Sequence, residues 1–454
     1  HMSEPEKATQ KAKEQILMCI AKSRLVEPLQ DIEVDVLPAS LIIGGGIAGM
    51  TASLAIAKKG FKVYLVEKEK NLGGFIRNLN EINTEGTLSE QVLNPIIQAI
   101  KTNPNIEVFT SSTIKAVNGS IGNFLIIIKQ NDEEKEIEAG TIIVAVGGKE
   151  LKPNGYYHYG EYENIVTNLE FEGLLRNKQI HDGESIAFIQ CVGSREEQGR
   201  NYCSLTCCEE SIKNALFAKK YYPKSEVFII YRDIRVFYEE ENEYRKAREK
   251  GINFIQYKPE NPPIVKKVND KLILSVFDAL TRMKFELSLD KIVLATPLIA
   301  WEENKKLSEM LKVPLDGNGF FFEAHPKLRP VDFATDGIFT CGTAQSPKNI
   351  KETLSQALGA ASRALIPLMN SKASVEGATS SLPEFNKKLC TGCEVCIDIC
   401  PYKAINKNEL DEIEINQVLC KGCGVCGATC TNRALVIKHF TDNQIISEIN
   451  ACLD

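Results

Sequence analysis

The stretch Leu41-Ile-Ile-Gly44-Gly-Gly46-Ile-Ala-Gly49-Met50 decides the fold. Residues 41–43 are a short apolar strand, Gly44, Gly46 and Gly49 supply a G-x-G-x-x-G turn, and the pattern that follows predicts a helix over 50–59, closed by Gly60. Residues 61–66 make the next apolar strand, and Glu67 ends it. A glycine triplet alone says little. Strand, glycine turn, helix, strand and acid in this order describe a dinucleotide-binding unit: the helix N-terminus offers free amides to a pyrophosphate, the glycines let the backbone come close, and the acid takes ribose hydroxyls. Gly73-Gly74 follows, as in many flavoproteins.

Working outward, 454 residues at 43% hydrophobic and 25% charged describe a globular chain with room for two or three domains. A net charge of -6 gives no basic field for nucleic acid. Neither a signal peptide nor an apolar run of about 18 residues is present, so the expectation is a cytoplasmic protein with no membrane span. His1-Met2 before Ser3 is expected to be an expression scar.

Fifteen cysteines in a chain without an export signal point to metal rather than to disulfides. Near the C-terminus, Cys390-Thr-Gly-Cys393-Glu-Val-Cys396-Ile-Asp-Ile-Cys400-Pro401 is matched by Cys420-Lys-Gly-Cys423-Gly-Val-Cys426-Gly-Ala-Thr-Cys430. Each copy is the C-x2-C-x2-C-x3-C run of a bacterial two-cluster ferredoxin, in which the fourth cysteine of one run serves the other run's cluster. One [4Fe-4S] cluster is therefore expected on Cys390, Cys393, Cys396 and Cys430, and another on Cys420, Cys423, Cys426 and Cys400. Zinc knuckles are the competing reading, but eight thiols in two matched runs without a histidine favour iron-sulfur chemistry.

Two later segments indicate FAD. Thr141-Ile-Ile-Val-Ala-Val-Gly147-Gly148 resembles the strand that ends the first part of a two-dinucleotide-domain flavoprotein. Asp336-Gly-Ile-Phe-Thr-Cys-Gly342-Thr343, followed by an expected helix over 351–365, resembles the segment that closes over the flavin, with Thr343 where many relatives carry Asp. Lys348 lies where a cation stabilises a reduced flavin, or is simply a solvated lysine at a helix start. Between these halves runs a second strand and helix array. In the thioredoxin reductase class its first strand leads to a glycine turn for NAD(P)H; here residues 185–190 lead instead to Cys191-Val-Gly-Ser-Arg195. A nicotinamide site of that kind is not expected. Cys191, Cys203, Cys207 and Cys208 fall within eighteen residues, and a helix from Ser204 onward sets Cys203 and Cys207 on one face. They are either converging ligands, with Cys208 the odd member, or ordinary buried thiols. Cys19, Cys341 and Cys452 stand alone and read as packing or surface thiols.

The chain resembles the A subunit of heterodisulfide reductase and its iron-sulfur flavoprotein relatives. The likeness rests on Gly44-Gly-Gly-Ile-Ala-Gly-Met-Thr51, Cys191-Val-Gly-Ser-Arg195, Tyr202-Cys-Ser204, Cys207-Cys208, Tyr231-Arg-Asp-Ile-Arg235 and the ferredoxin runs. It implies a third [4Fe-4S] cluster on Cys191, Cys203, Cys207 and Cys208 near the FAD. The resemblance further implies an electron-transfer subunit with no catalytic side chain of its own, and possible electron bifurcation. Expected partners are the other subunits of a heterodisulfide reductase-like complex, a ferredoxin, or an iron-sulfur hydrogenase or dehydrogenase subunit, with a homodimer inside the larger assembly. Longer members carry an N-terminal cluster domain and a ferredoxin module inserted in the FAD domain. Here only a helix and linker precede Leu41, and only Lys129-Gln-Asn-Asp-Glu-Glu-Lys135 stands at the insertion point. The expected fold class is α/β, two dinucleotide-binding domains like those of thioredoxin reductase plus a C-terminal α+β two-cluster ferredoxin domain. The expected plan is a helical segment over 1–40, FAD domain parts over 41–159 and 298–370, the cluster-bearing second domain over 160–297, a polar linker over 371–384 and the ferredoxin unit over 385–454. A self-sufficient NAD(P)H-dependent reductase is the alternative, which a second glycine fingerprint would favour.

Overall fold

A computed structural model describes residues 3–28, 32–131, 133–269, 271–375, 382–408 and 410–453. They form two compact units, one of Pro38–Asn118 and Phe124–Met369, the other of His1–Leu37, Gly119–Asn123 and Asn370–Asp454.

The larger unit holds two five-stranded parallel sheets. The first runs Ile338–Thr340, Thr141–Val144, Ala39–Ile43, Lys62–Val66, Ile106–Phe109. Its central strands are almost wholly apolar because parallel strands are covered on both faces, and Leu41, Ile42, Val63, Leu65, Ile142 and Ile143 are fully buried. The helix after the first strand spans Ile47–Ala57, three residues earlier than the sequence pattern predicts. Gly49 lies inside it: a Cβ there would meet the Gly44 carbonyl oxygen at 1.8 Å, so only glycine lets the first turn form against the strand end. The later helix is also longer than expected, Ile350–Asn370, and it holds Ala357, Ala360, Ala361, Ala364 and Leu368 in the core.

The second sheet runs Ile165–Thr167, Lys291–Leu294, Ser185–Ile189, Glu226–Tyr231, Asn253–Gln256. Three antiparallel strands, Ile264–Val268, Lys271–Phe277 and Lys284–Leu289, form a separate sheet that shares its core through Leu272, Leu274 and Val276. Where the chain leaves the first sheet and where it returns, Lys149–Glu150 pairs with Leu298–Ile299. Helix formation here departs from expectation. The helix begins at Cys207 and runs to Tyr221, because Leu205 is left-handed (φ 61°) and its amide turns onto the Cys203 sulfur. Cys203 therefore sits in a loop.

A buried ionic knot joins the halves of this unit. The Lys213 ammonium lies 2.5 Å from Glu172 and 2.8 Å from Glu210 and donates to the Glu81 carbonyl at 2.6 Å, while Glu172 accepts from the Asn80 amide at 2.9 Å. Burial, with Glu210 close by, pushes the Glu172 carboxyl up to about 9.

The smaller unit is built on the cysteine runs. Pro383–Phe385 pairs with Leu435–Ile437, and Ile405–Lys407 with Ile413–Ile415; one short helix lies within each run, Val395–Ile399 and Val425–Thr429. The stretch read as a linker opens with a strand, Lys372–Val375, paired with Ile32–Asp35; its residues 376–381 lie outside the described residues. The helix Pro5–Ser23 packs along Asp442–Leu453, with Lys22 3.1 Å from Glu448 and Gln444 donating to the Leu25 carbonyl. Among the described residues no helix is long and apolar enough to cross a membrane.

Lys213→Met leaves the buried Glu172 and the partly buried Glu210 without their cation and is expected to cost about 3 kcal/mol, read as a lowered urea midpoint. A midpoint equal to wild type would show that the knot does not brace the halves.

Candidate cofactor sites

The carboxyl ends of the first sheet open into a cavity of about 580 Å³, lined by Gly44, Gly46, Glu67, Gly73, Gly74, Gly147, Thr343 and Lys348 among others. Gly46 caps the helix Ile47–Ala57 with no capping side chain, which leaves the first-turn amides for a ligand. The backbone is crowded around them. A Cβ on Gly44 (φ 111°) would fall 2.3 Å from the Ala145 carbonyl oxygen, and one on Gly74 (φ 56°) 2.9 Å from the Gly46 Cα. Glu67 is buried, its carboxylate accepting from the Gly45 amide at 2.6 Å and the Glu69 amide at 2.8 Å, so the acid is fixed at the edge of the cradle. Gly342 packs against the first turn of the helix Ile47–Ala57: its amide donates to Gln356 at 2.8 Å, and a Cβ on it would meet Ala48 at 2.9 Å. An uncapped helix N-terminus, a bridging glycine pair and a held carboxylate fit the pyrophosphate and ribose of FAD.

Lys348 is not a freely solvated lysine. Its ammonium donates to the carbonyls of Gly342 (2.9 Å) and Ser346 (2.7 Å) and to Gln345, and burial brings its pKa down to about 8. Cys341, fully buried in the adjoining strand end, has its thiol pushed up to about 12 by burial. Cys19 and Cys452 are exposed.

At the carboxyl edge of the second sheet the chain does something different. Cys191 follows the strand Ser185–Ile189 in a left-handed conformation (φ 62°), and no helix begins until Cys207. The Cys207 thiol donates to the Thr296 carbonyl at 3.2 Å, and the Cys208 thiol to the Asp233 carbonyl at 3.8 Å. Burial raises the Cys191, Cys207 and Cys208 thiols, Cys207 far above its usual range and Cys208 to about 12, and each of these three also feels the charge of neighbouring thiols, Cys203 among them. Arg195 opposes the rise at Cys191: its guanidinium lies 3.9 Å from that sulfur and 2.6 Å from Asp233, with Arg232 adding to the field. Beside the thiols, the buried Gln190 side-chain amide and Thr296 hydroxyl have no hydrogen-bond partner among the described residues. Among the described residues no His, Cys, Asp or Glu group forms a site for a single ion. Thiols close enough to interact electrostatically, with a cation and spare donors beside them, fit the ligands of a cluster, whose sulfurs take such bonds.

In the smaller unit, Cys420 and Cys426 each feel the charge of Cys400 and Cys423, and Cys400, Cys420, Cys423 and Cys426 line one small cavity. The first run's fourth cysteine thus stands with the second run. Cys396 in turn feels Cys390 and Cys393, and Cys430 packs against the same small core as Cys390 and Cys396. Burial raises Cys396, Cys420 and Cys426, the last to about 11.

Sequence reasoning gives no role to Gln190, Arg232 or Thr296, although Arg232 lies within the quoted stretch Tyr231-Arg-Asp-Ile-Arg235. All three directly follow, or nearly follow, parallel strands of one sheet, and ligands of such sheets gather at the carboxyl ends. Strand order is the missing signal.

Residues 39–187 match the family described as pyridine nucleotide-disulphide oxidoreductase, and residues 383–406 the 4Fe-4S binding domain. The chain is 34% identical over 550 residues to the A subunit of the H(2):CoB-CoM heterodisulfide,ferredoxin reductase of Methanothermobacter thermautotrophicus, covering 100% of this chain and 82% of that protein. It is likewise 34% identical over 555 residues to the iron-sulfur A subunit of the CoB-CoM heterodisulfide reductase of Methanocaldococcus jannaschii, covering 100% and 83%. Among solved structures, thioredoxin reductase of Lactococcus lactis matches 74% of this chain and 99% of its own, with a TM-score of 0.51 at 19% identity. That likeness gives the fold: two dinucleotide-binding domains, joined here to a ferredoxin domain.

Gly49→Ala is expected to strip most of the FAD from the purified protein, measured as flavin absorbance per chain, because the new methyl collides with the Gly44 carbonyl. Gly60→Ala, where nothing lies within 4 Å of the added Cβ, should cost only the backbone strain of its positive φ and keep the flavin. Full FAD content in the Gly49 variant would remove the motif from the binding account.

Proposed function

Because the chain belongs to the family of the heterodisulfide reductase A subunit, an oxidoreductase component carrying FAD and iron-sulfur centres, we propose that it passes electrons between FAD and low-potential [4Fe-4S] carriers or partner subunits of a heterodisulfide reductase-like complex. One observation carries this reading. The glycine cradle and the Cys191 thiols belong to the same unit, and a small cavity of about 110 Å³ is lined by Lys348 and Ile350 from the flavin side and by Thr206 and Thr296 from the cysteine side. FAD, when bound, would supply a two-electron store suited to exchange with one-electron carriers.

The chain's own residues set the conditions for that exchange. Gly44, Gly46 and Gly49 hold the pyrophosphate, with Glu67 on the ribose and Gly73, Gly74, Gly147, Gly342 and Thr343 around the rest. Lys348, its pKa brought down by burial to about 8, would offer a positive charge and a proton donor to a reduced flavin. Arg195 and Arg232 favour thiolate on Cys191 and so favour cluster binding. The proposed clusters number three: Cys191, Cys203, Cys207 and Cys208; Cys390, Cys393, Cys396 and Cys430; Cys420, Cys423, Cys426 and Cys400. The domain boundaries given above belong to this proposal, and so do a ferredoxin, hydrogenase or dehydrogenase partner, a homodimeric arrangement and flavin-based bifurcation. The NAD(P)H-dependent alternative is disfavoured, because the second sheet offers thiols and a loop where a pyrophosphate needs a glycine turn and a helix N-terminus.

Anaerobic iron analysis should give about twelve iron atoms per chain, by the ligand arithmetic of three four-iron clusters. Cys191→Ser should lower that to about eight while leaving the flavin bound. A wild-type value near eight would take the Cys191 set out of the account.

NADH and NADPH should fail to bleach the flavin of the isolated protein, whereas a reduced low-potential ferredoxin should bleach it. An anaerobic absorbance titration decides this. Rapid stoichiometric reduction by NADH alone would replace the partner-dependent reading with the reductase alternative.

A further inference from the structure

We propose that Trp301 is the stacking platform for the adenine ring of the dinucleotide, an inference that rests on the FAD reading and specifies its distal end. Trp301 is the chain's one tryptophan. It follows the return crossing Leu298–Ile299 and is held in plane by a hydrogen bond from its ring N–H to the Val146 carbonyl at 3.1 Å, directly before Gly147. The indole belongs to the walls of two neighbouring cavities, the cradle of about 580 Å³ and a smaller one of about 260 Å³, and Gly44, Glu67, Lys68 and Val146 are common to both.

The order of groups fixes which end of the ligand goes where. On the FAD reading Gly44 and Gly46 take the pyrophosphate and Glu67 the ribose, while Lys348, Thr343 and Gly74 line the larger cavity and not the smaller one. The base must then lie beyond Glu67, and the smaller cavity is there, with Ile43, Val66, Ile114, Leu307 and Met310 making an apolar slot beside the indole. A flat, weakly polar purine suits such a slot, and any base offers a π-face to an aromatic ring.

The indole face is one that attracts such a partner. The Lys68 ammonium lies 3.3 Å from the ring centroid, and Lys149, held by Glu302 at 2.6 Å, lies 5.4 Å from it. Two cations beside a tryptophan mark an electron-rich surface at the mouth of a phosphate site. When a purine takes the ring face, Lys68 has the adjacent phosphate oxygens to pair with, so the exchange leaves no charge stranded. Lys68 and Trp301 thus clamp the adenosine diphosphate half, far from the reacting flavin.

The test uses full-length, cluster-loaded protein under anaerobic conditions. Free flavin fluoresces on release, so dilution series give the dissociation constant for FAD, and the same series is run with FMN, which lacks the adenosine. Trp301→Ala should weaken FAD binding about ten- to a hundredfold, the range set by base stacking on aromatic side chains. Trp301→Phe should stay within a few-fold, and FMN binding should be the same in all three proteins. Because tryptophan emission comes from Trp301 alone, ADP added to FAD-depleted wild type should also change that emission. Unchanged FAD affinity in the alanine variant overturns the proposal, as does an equal loss for FAD and FMN, which would mean a damaged cradle. Wild type that binds no FAD at all would instead overturn the flavin reading on which the proposal stands.

Discussion

The larger unit depends on one close approach, the Gly49 backbone against the Gly44 carbonyl. No side chain fits between them. Because none is there, the helix Ile47–Ala57 starts directly at the strand end, and its free amides aim at one point in front of the sheet. The neighbouring strand then delivers Glu67 to the same point, and Gly74 closes against Gly46 from the other side. The cavity and the held carboxylate are consequences of that contact, while Lys348 is placed by the carbonyls of Gly342 and Ser346.

The second sheet reuses the architecture for another purpose. In a parallel sheet the last residue of each strand leaves with free backbone groups at a shared edge, whatever the ligand. Here the strand ends bring Cys191, Arg232 and Thr296 to that edge, and a loop and helix start supply Cys203, Cys207 and Cys208. Buried thiols stay protonated and cost little charge desolvation, so the fold tolerates them; binding iron requires those protons to leave, and Arg195 and Arg232 make that easier.

How much of this is legible in the sequence depends on how local the signal is. The ferredoxin runs are local: each ligand is a fixed number of residues from the next, and spacing alone names the chemistry. The first glycine turn is nearly as local, although the pattern sets the helix start three residues late because a glycine inside a helix looks like a boundary. The Cys203 region reads as helix, since nothing in Ser204-Leu-Thr206 announces the left-handed Leu205. Gln190, Arg232 and Thr296 are 106 residues apart at their extremes and become neighbours only through strand order. The knot of Glu172, Glu210 and Lys213 is hidden for the same reason.

The pairing of Pro5–Ser23 with Asp442–Leu453 has a consequence for how the chain is made. The earlier helix leaves the ribosome some 420 residues ahead of its partner, a wait of roughly 20 to 90 seconds at ordinary rates of synthesis. Ile16, Leu17 and Ile20 remain half exposed even in the folded unit, and no residue of that helix is buried. Throughout that interval they face water or whatever else is near. The smaller unit can therefore close only after Asp442–Leu453 has emerged.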